Sequence, residues 1–255
     1  MLVKKPFKKG FGHSPAPYYA ATAAFVPQGV NFSASAFINR GTALTGVTDS
    51  KVGTISFWFR GNAGSDSATI RIFNSQSGSP GTGIFVDRLS TGQTRVVTQN
   101  AAGTNLMVLV STSTFFSADG WKNLAAFWDN AAGVAQVYVG GVLESSLAPT
   151  NDTIDYATSQ TDWALPNSGL PGPFDIAELW FSSAIAFDLS VSSNLQKFIS
   201  GGNAVNLGTN GGTPTGTSPP VFFSGAVASW NTNKGTGGGF TVNSGPLTAS
   251  TTNPP

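Results

Sequence analysis

The sequence predicts an all-β protein, an antiparallel β-sandwich, and three observations carry that expectation. Short runs that alternate apolar and polar residues recur along the chain, separated by clusters of turn residues. Gly and Pro supply 31 and 15 of the 255 residues and interrupt helices, while 19 Phe and 6 Trp favour strands. No segment repeats at a fixed period, which disfavours a solenoid or a propeller.

Taken in order, residues 1–22 combine Lys, Gly and Pro without an apolar pattern and read as a basic, extended arm. Alternation starts at Val30. In residues 52–60, Ile55, Phe57 and Phe59 share one strand face, and Ser56, Trp58 and Arg60 share the other. Further strands are expected at 68–73, 83–89, 94–99 and 105–110, with turn chemistry at 62–66, 77–81 and 100–103. Residues 121–128 form the next strand, and 129–133 turn it into 134–139. Gly140-Gly141 then makes a two-residue hairpin into 142–146. Residues 173–181, rich in Phe, Ile, Leu and Trp, supply another strand. One short helix is expected over 189–200, with Asp188 or Ser190 as N-cap and Gly201-Gly202 as its stop.

The sandwich body so defined covers residues 23–202. Residues 203–255 form a Gly/Thr/Pro-rich C-terminal extension, with strand-like pieces at 220–224 and 239–243 around the glycines of 235–239. It reads as a loosely attached tail or as an arm that orders on a partner.

Charged residues are 10% of the chain, against about 25% in an ordinary soluble protein. There is no Cys, so thiolate metal sites, disulfides and cysteine nucleophiles are excluded. His13 is the one histidine, which argues against poly-His metal sites and Ser-His-Asp chemistry. With ten Asp and two Glu besides, the inventory argues against an enzyme. The net charge of +1 conceals an asymmetry, because Lys4, Lys5, Lys8 and Lys9 all lie in the arm. Without them, nine cations face 12 acids, and the body carries a charge of −3. Such an arm suits an acidic protein surface; four lysines without arginine are a weak phosphate footprint, so nucleic acid is not expected.

The basic start is followed by Pro6, Gly10, Gly12, Pro15 and Pro17 rather than an apolar run, so export by a signal peptide is not expected. The apolar run Leu106-Met107-Val108-Leu109-Val110 falls far short of the ~20 residues of a membrane helix. Sequons at Asn31 and Asn151 carry no weight without an exported context.

Several of these strands resemble one family. Val30-Asn31-Phe32 ahead of residues 54–59, Trp121-Lys122-Asn123-Leu124-Ala125, residues 137–142 and residues 175–180 follow the order of motifs in laminin-G-like, concanavalin-A-like jelly rolls. Gly140 stands where that family usually has an acid. The resemblance spans about residues 25 to 185 and implies a jelly-roll sandwich. Farther on, residues 189–201, 204–208, 214–223 and 233–247 resemble tailed-phage and prophage proteins counted among virion structural components. That likeness implies a location in the virion. The protein would decorate or cap a capsid or tail in multiple copies, attached to other virion proteins through its terminal arms. The alternative is a lectin-like adhesion domain for a host surface glycan.

Four constellations are candidates for chemistry. Jelly rolls also host glucanases, which need two carboxylates in one cleft, about 5–5.5 Å apart for retention. The nearest pair, Asp175 and Glu178, is three residues apart, which puts the two on opposite faces of a strand. Asp152, Asp155 and Asp162 are a calcium candidate, since laminin-G-like folds often bind that ion on rim loops. Three ligands are too few, and solvated turn acids are the favoured reading, so no cofactor is expected. Trp163 and Trp230 lie in polar, loop-like surroundings and are the candidate glycan contacts. Lys4, Lys5, Phe7, Lys8, Lys9 and Phe11 are the candidate attachment residues of the arm.

Overall fold

A computed structural model describes residues 25–75, 82–157, 163–166 and 172–255. The attachment candidates Lys4, Lys5, Phe7, Lys8, Lys9 and Phe11, and Asp162 of the calcium set, lie outside these residues.

Among the described residues the chain forms β1 (Val30–Phe32), β2 (Phe37–Asn39), β3 (Val52–Gly61), β4 (Ile70–Ser75), β5 (Gly83–Arg88), β6 (Thr94–Gln99), β7 (Asn105–Val110), β8 (Lys122–Asp129) and β9 (Val134–Val139). It continues through β10 (Val142–Leu147), β11 (Trp163–Leu165), β12 (Phe174–Ser182), β13 (Ile199–Ser200), β14 (Asn203–Ala204), β15 (Val221–Phe223), β16 (Thr241–Asn243) and β17 (Thr248–Ala249). Eight strands make one antiparallel sheet in the order β10-β9-β8-β3-β12-β1-β17, with β15 also on β12. Seven make the other, in the order β16-β2-β11-β4-β5-β6-β7. The fold is the all-β sandwich that the alternation predicts.

The two sheets close on each other because their inward faces are apolar. Ile55, Phe57 and Phe59 of β3 meet Ile70, Ile72 and Phe73 of β4, Ile84 and Val86 of β5 and Leu109 of β7 in one buried cluster. The β9–β10 hairpin turns on Gly140 and Gly141, whose φ of 59° and 82° fit the mirror-image turn that matches strand twist. The central strand β12 carries an irregularity. It pairs Ala177 with Trp58 and then Trp180 with Ser56, so one residue is inserted and the alternation shifts. Phe174, Ile176, Leu179 and Phe181 therefore all reach the core, at spacings of two, three and two.

The outward face of the larger sheet is covered by a third layer. Ala125, Phe127, Tyr138 and Trp180 pack against Leu189, Phe198 and Leu207, and the indole N–H of Trp180 donates to the Gly211 carbonyl at 2.8 Å. The expected helix over 189–200 shrinks to the single turn α1 (Ser192–Leu195). Asp188 accepts from the Ser190 amide at 3.0 Å, as a cap would, but the β-branched and Ser-rich start gives the helix little to propagate on. Burial of Leu189 and Phe198 against the sheet then bends the segment into the β13–β14 hairpin.

Residues 203–255 are neither a loose tail nor a free arm. β15 pairs with β12, β16 with β2 and β17 with β1, so the segment closes edges of both sheets. The final residues are tied down as well: the Ala204 amide donates to the Pro255 carbonyl at 2.7 Å and the Gly29 amide to Asn253 Oδ1 at 2.9 Å. Buried Asp175 anchors this closure. It accepts from Arg60 Nε at 2.8 Å, Asn31 Nδ2 at 2.7 Å and Ser250 Oγ at 2.8 Å, while Arg60 also reaches Thr251 and Thr252. The glycine-rich stretch is a packing device: Gly235 and Gly237 press on the Pro219 and Pro220 backbone so closely that any side chain there would clash.

Candidate functional site

One rim of the sandwich gathers polar residues from three connections. The strap 150–157, after β10, crosses between the loop ahead of β3 and the loop after β6. The Ile154 amide donates to the Ser50 carbonyl at 2.8 Å on the larger-sheet side, and the Asp155 amide to the Gln99 carbonyl at 3.1 Å on the smaller-sheet side. Tyr156 pins the strap from below. Its buried hydroxyl accepts from the Trp128 indole at 2.8 Å and donates to the Val52 carbonyl at 3.1 Å, and burial pushes its pKa well above the usual value.

Between these connections lies a cavity of about 260 Å³ lined by Asp49, Asn100, Ala101, Ala102, Asp152, Thr153, Ile154 and Asp155. Three of the polar side chains are oriented by the backbone around them. One oxygen of Asp49 accepts the Tyr156 and Ala157 amides at 2.9 and 2.7 Å. Asn100 accepts the Ala102 and Thr104 amides at 3.1 and 2.9 Å, which aims its Nδ2 at Asp152 Oδ2, 2.9 Å away. Asp152 also accepts the Thr153 amide at 2.7 Å. These bonds, from Asn100 first and then Thr153, with Lys51 assisting, hold the Asp152 carboxyl below the usual range. The cavity therefore presents fixed acceptors and net negative charge. It is concave, polar at defined points and of a size that suits one sugar ring.

Of the calcium set, Asp152 and Asp155 line this cavity. Among the described residues no three His, Cys, Asp or Glu side chains converge closely enough to hold a metal ion. Asp49 and Asn100 complete the site. Asp49 directly precedes the strand signal at 52–60, and Asn100 opens a stretch already legible as a turn.

Trp163 and Trp230 are corrected by the structure: both are fully buried and unable to stack on a sugar. Trp163 sits in a strand too short to show alternation and packs its ring on Phe73 and Phe181, at 5.6 and 5.3 Å between centroids. Trp230 ends a 3-10 turn, stacks on Phe223 at 5.6 Å and donates its indole N–H to the Gly225 carbonyl at 2.9 Å. Polar neighbours in sequence do not mark exposure when the side chain itself buries a large apolar area. A partly exposed Trp is Trp121, whose indole donates to Thr252 Oγ1 at 3.0 Å under the Arg60 guanidinium.

The outer face of the seven-stranded sheet holds a second constellation. Asp87 is fully buried between Arg71 and Arg95, and the Arg71 guanidinium lies 4.0 Å from the Phe85 ring centroid. Its charges are spent on one another across adjacent strands, so it reads as a cross-strand ladder that stiffens the sheet. The glucanase pair is also absent as a working unit. Asp175 is saturated by donors, and Glu178 does not line the rim cavity.

A family model described as the concanavalin A-like lectin/glucanases superfamily matches residues 39–183. No curated protein matches the sequence. Among solved structures, a Bacteroides ovatus protein described as a putative carbohydrate binding protein superposes with a TM-score of 0.63 at 10% identity, over 91% of this chain and 62% of that one. This chain thus spans less than two thirds of that protein's length. The heptameric SAP-like pentraxin of Limulus polyphemus superposes with a TM-score of 0.55 at 11% identity, over 88% of this chain and 94% of the pentraxin. At such identities the likeness is one of fold.

Proposed function

The chain belongs to the concanavalin A-like lectin/glucanases superfamily, and from that premise we propose that it is a non-enzymatic, lectin-like domain that binds a neutral glycan in its rim cavity. The observation that carries this reading is the cavity itself, where Asp49, Asn100 and Asp152 offer polar groups already oriented by backbone hydrogen bonds. Sugar hydroxyls donate well to fixed carboxylates, and acceptors that need no reordering reduce the entropic cost of binding. Negative charge in the cavity favours neutral sugars over uronic or sulfated ones. The Bacteroides ovatus protein, described as carbohydrate binding, supports the assignment at the level of fold.

The absence of catalysis in this reading follows from the carboxyls. Glycoside hydrolysis needs one carboxyl kept protonated beside the bond to be cut. Asp152 at the rim is held ionised, whereas the carboxyl that burial pushes up, Glu178, is enclosed in the sandwich.

Screening the protein on an array of neutral and acidic glycans, followed by titration with the best neutral one, tests the reading. Asp152→Ala combined with Asn100→Ala should weaken binding at least about tenfold, the effect of roughly one lost charged hydrogen bond. Binding of acidic glycans alone, or a double variant with unchanged affinity, contradicts it.

A virion location remains a separate proposal, favoured by the residue order of 189–247. Its attachment would fall to residues 1–22, because the C-terminal residues are used to close the sandwich. Lysine cross-links from Lys4, Lys5, Lys8 or Lys9 to a capsid or tail protein in purified particles would support it, and absence from particles would end it.

A further inference from the structure

A row of polar side chains crosses the larger sheet at the end of β3 away from the rim cavity. Thr248 of β17, Asn31 of β1, Asp175 of β12 and Arg60 of β3 stand opposite one another in successive strand pairs and share one face. Their neighbours in alternation, Val30, Phe32, Ile176 and Phe59, point into the core, so the row faces outward. Farther along this face the third layer covers Ala125, Phe127 and Trp180. Over the row there is instead a cavity of about 250 Å³, lined also by Asn62, Ala249 and Thr251.

The end of the chain shows which groups this row accepts. Ser250 donates its hydroxyl to Asp175 at 2.8 Å, and the Thr251 and Thr252 hydroxyls accept from Arg60 at 3.1 and 2.8 Å. Thr252 also accepts the Trp121 indole N–H at 3.0 Å, and that ring presses on Gly29, where a side chain would clash. Three successive alcohols thus satisfy a carboxylate, a guanidinium and an indole, as vicinal sugar hydroxyls do. Capacity remains inside the cavity. Among the described residues the Asn62 carboxamide has no hydrogen-bond partner and caps no turn. The Thr248 hydroxyl has one long bond of 3.5 Å to Asn31, and the Thr251 hydroxyl accepts without donating. Arg60 and Asp175 cancel in charge and no other ionisable side chain lines the cavity, so a neutral ligand fits it best.

We propose that this cavity is a second binding site, for one ring of a neutral sugar, at the end of the sandwich opposite the rim. Asn62, Thr248 and Thr251 contact the sugar hydroxyls. The Arg60–Asp175 pair, steadied by Asn31, fixes the floor beneath them. The ligand class is shared with the rim reading, but none of the residues is. Ten-residue β3 separates the two sites by about 30 Å, so one domain grips a polysaccharide at two points and gains avidity.

NMR titration of the full chain with methyl α-mannopyranoside, methyl β-glucopyranoside and methyl β-galactopyranoside tests the site. At least one sugar should give saturable shifts of the Trp121 indole N–H, the Asn62 side-chain amide and the Thr248 and Thr251 amides. Asn62→Ala removes a group that ties down nothing in the fold, and it should weaken this binding about fivefold with the melting temperature kept. Asp152→Ala combined with Asn100→Ala should leave it unchanged. Silence of this set with all three sugars, or an unchanged affinity in Asn62→Ala, overturns the second site and leaves the rim reading standing. Shifts here with the rim silent uphold the second site and count against the rim instead.

Discussion

The rim cavity and the β12 bulge both collect acidic side chains, and they use them in opposite ways. At the rim, Asp152 is solvated, accepts two strong hydrogen bonds and is held ionised. At the bulge, Glu178 is enclosed and burial outweighs the attraction of Lys234, so its proton is retained up to near neutrality. Asp175, three residues before it, has other surroundings. That carboxylate is also fully buried but is supplied with donors from Arg60, Asn31 and Ser250. Where donors converge, as at Asp175, a buried acid anchors the fold; at Glu178 burial outweighs the pull of Lys234 and the Gly225 amide and the proton is kept.

The sharpest way to break the comparison is to remove the anchor. Asp175→Ala strands the Arg60 guanidinium and unties the C-terminal strand β17, and it should cost about 3–5 kcal/mol in chemical denaturation. Trp230→Ala should cost a similar 3–5 kcal/mol by emptying the site between Phe223 and Phe32, with no effect specific to glycan binding once the folded fraction is matched. Both variants leave the rim cavity's own hydrogen bonds in place.

Next in size is the pH dependence that the proton store imposes. A carboxyl whose pKa is raised on folding contributes stability that is fully present below its unfolded value of 4.5 and is lost as pH rises through about 7. The loss is about 3 kcal/mol, from the relation of pKa shift to free energy. Glu178→Gln should flatten the curve over that window. Glu144 works with the opposite sign at lower pH. Burial pushes its carboxyl up, but bonds from Thr112 and Ser113 together outweigh this and hold it below the ordinary value. Stability from Glu144 should therefore decline as pH falls below that value, leaving a maximum in mildly acidic solution. Smallest is Asp152→Asn, a solvated rim change expected to leave the thermal melt essentially where it is.

Much of this contrast was legible in the sequence, and the remainder was hidden for physical reasons. The strands β6, β7 and β9 fall where alternation places them, because each is long enough to show a period of two. β2 and β11, at three residues each, are too short to show it, and that is why Trp163 looked like a loop residue. The bulge leaves a trace, since the three-residue step from Ile176 to Leu179 interrupts the two-residue spacing of Phe174 to Ile176 and of Leu179 to Phe181. Read as a regular strand, the segment puts Asp175 and Glu178 on opposite faces, and the inserted residue voids that argument. The C-terminal strands are hidden because their apolar residues are thinly spread, and their pairing with β1, β2 and β12 is long-range. At the rim, Asp152 and Asp155 stand out as a local cluster, while Asp49 and Asn100 join them only through the fold.

The central claim is that the rim cavity is where a sugar binds, and backbone NMR during titration with the best neutral glycan from an array tests it most directly. The predicted result is a saturable set of amide shifts at Ala101, Ala102, Thr153, Ile154 and Asp155, with Phe85 and Arg95 on the open sheet face unmoved. Shifts centred on Arg71, Phe85 and Arg95 instead, with the rim silent, would contradict it.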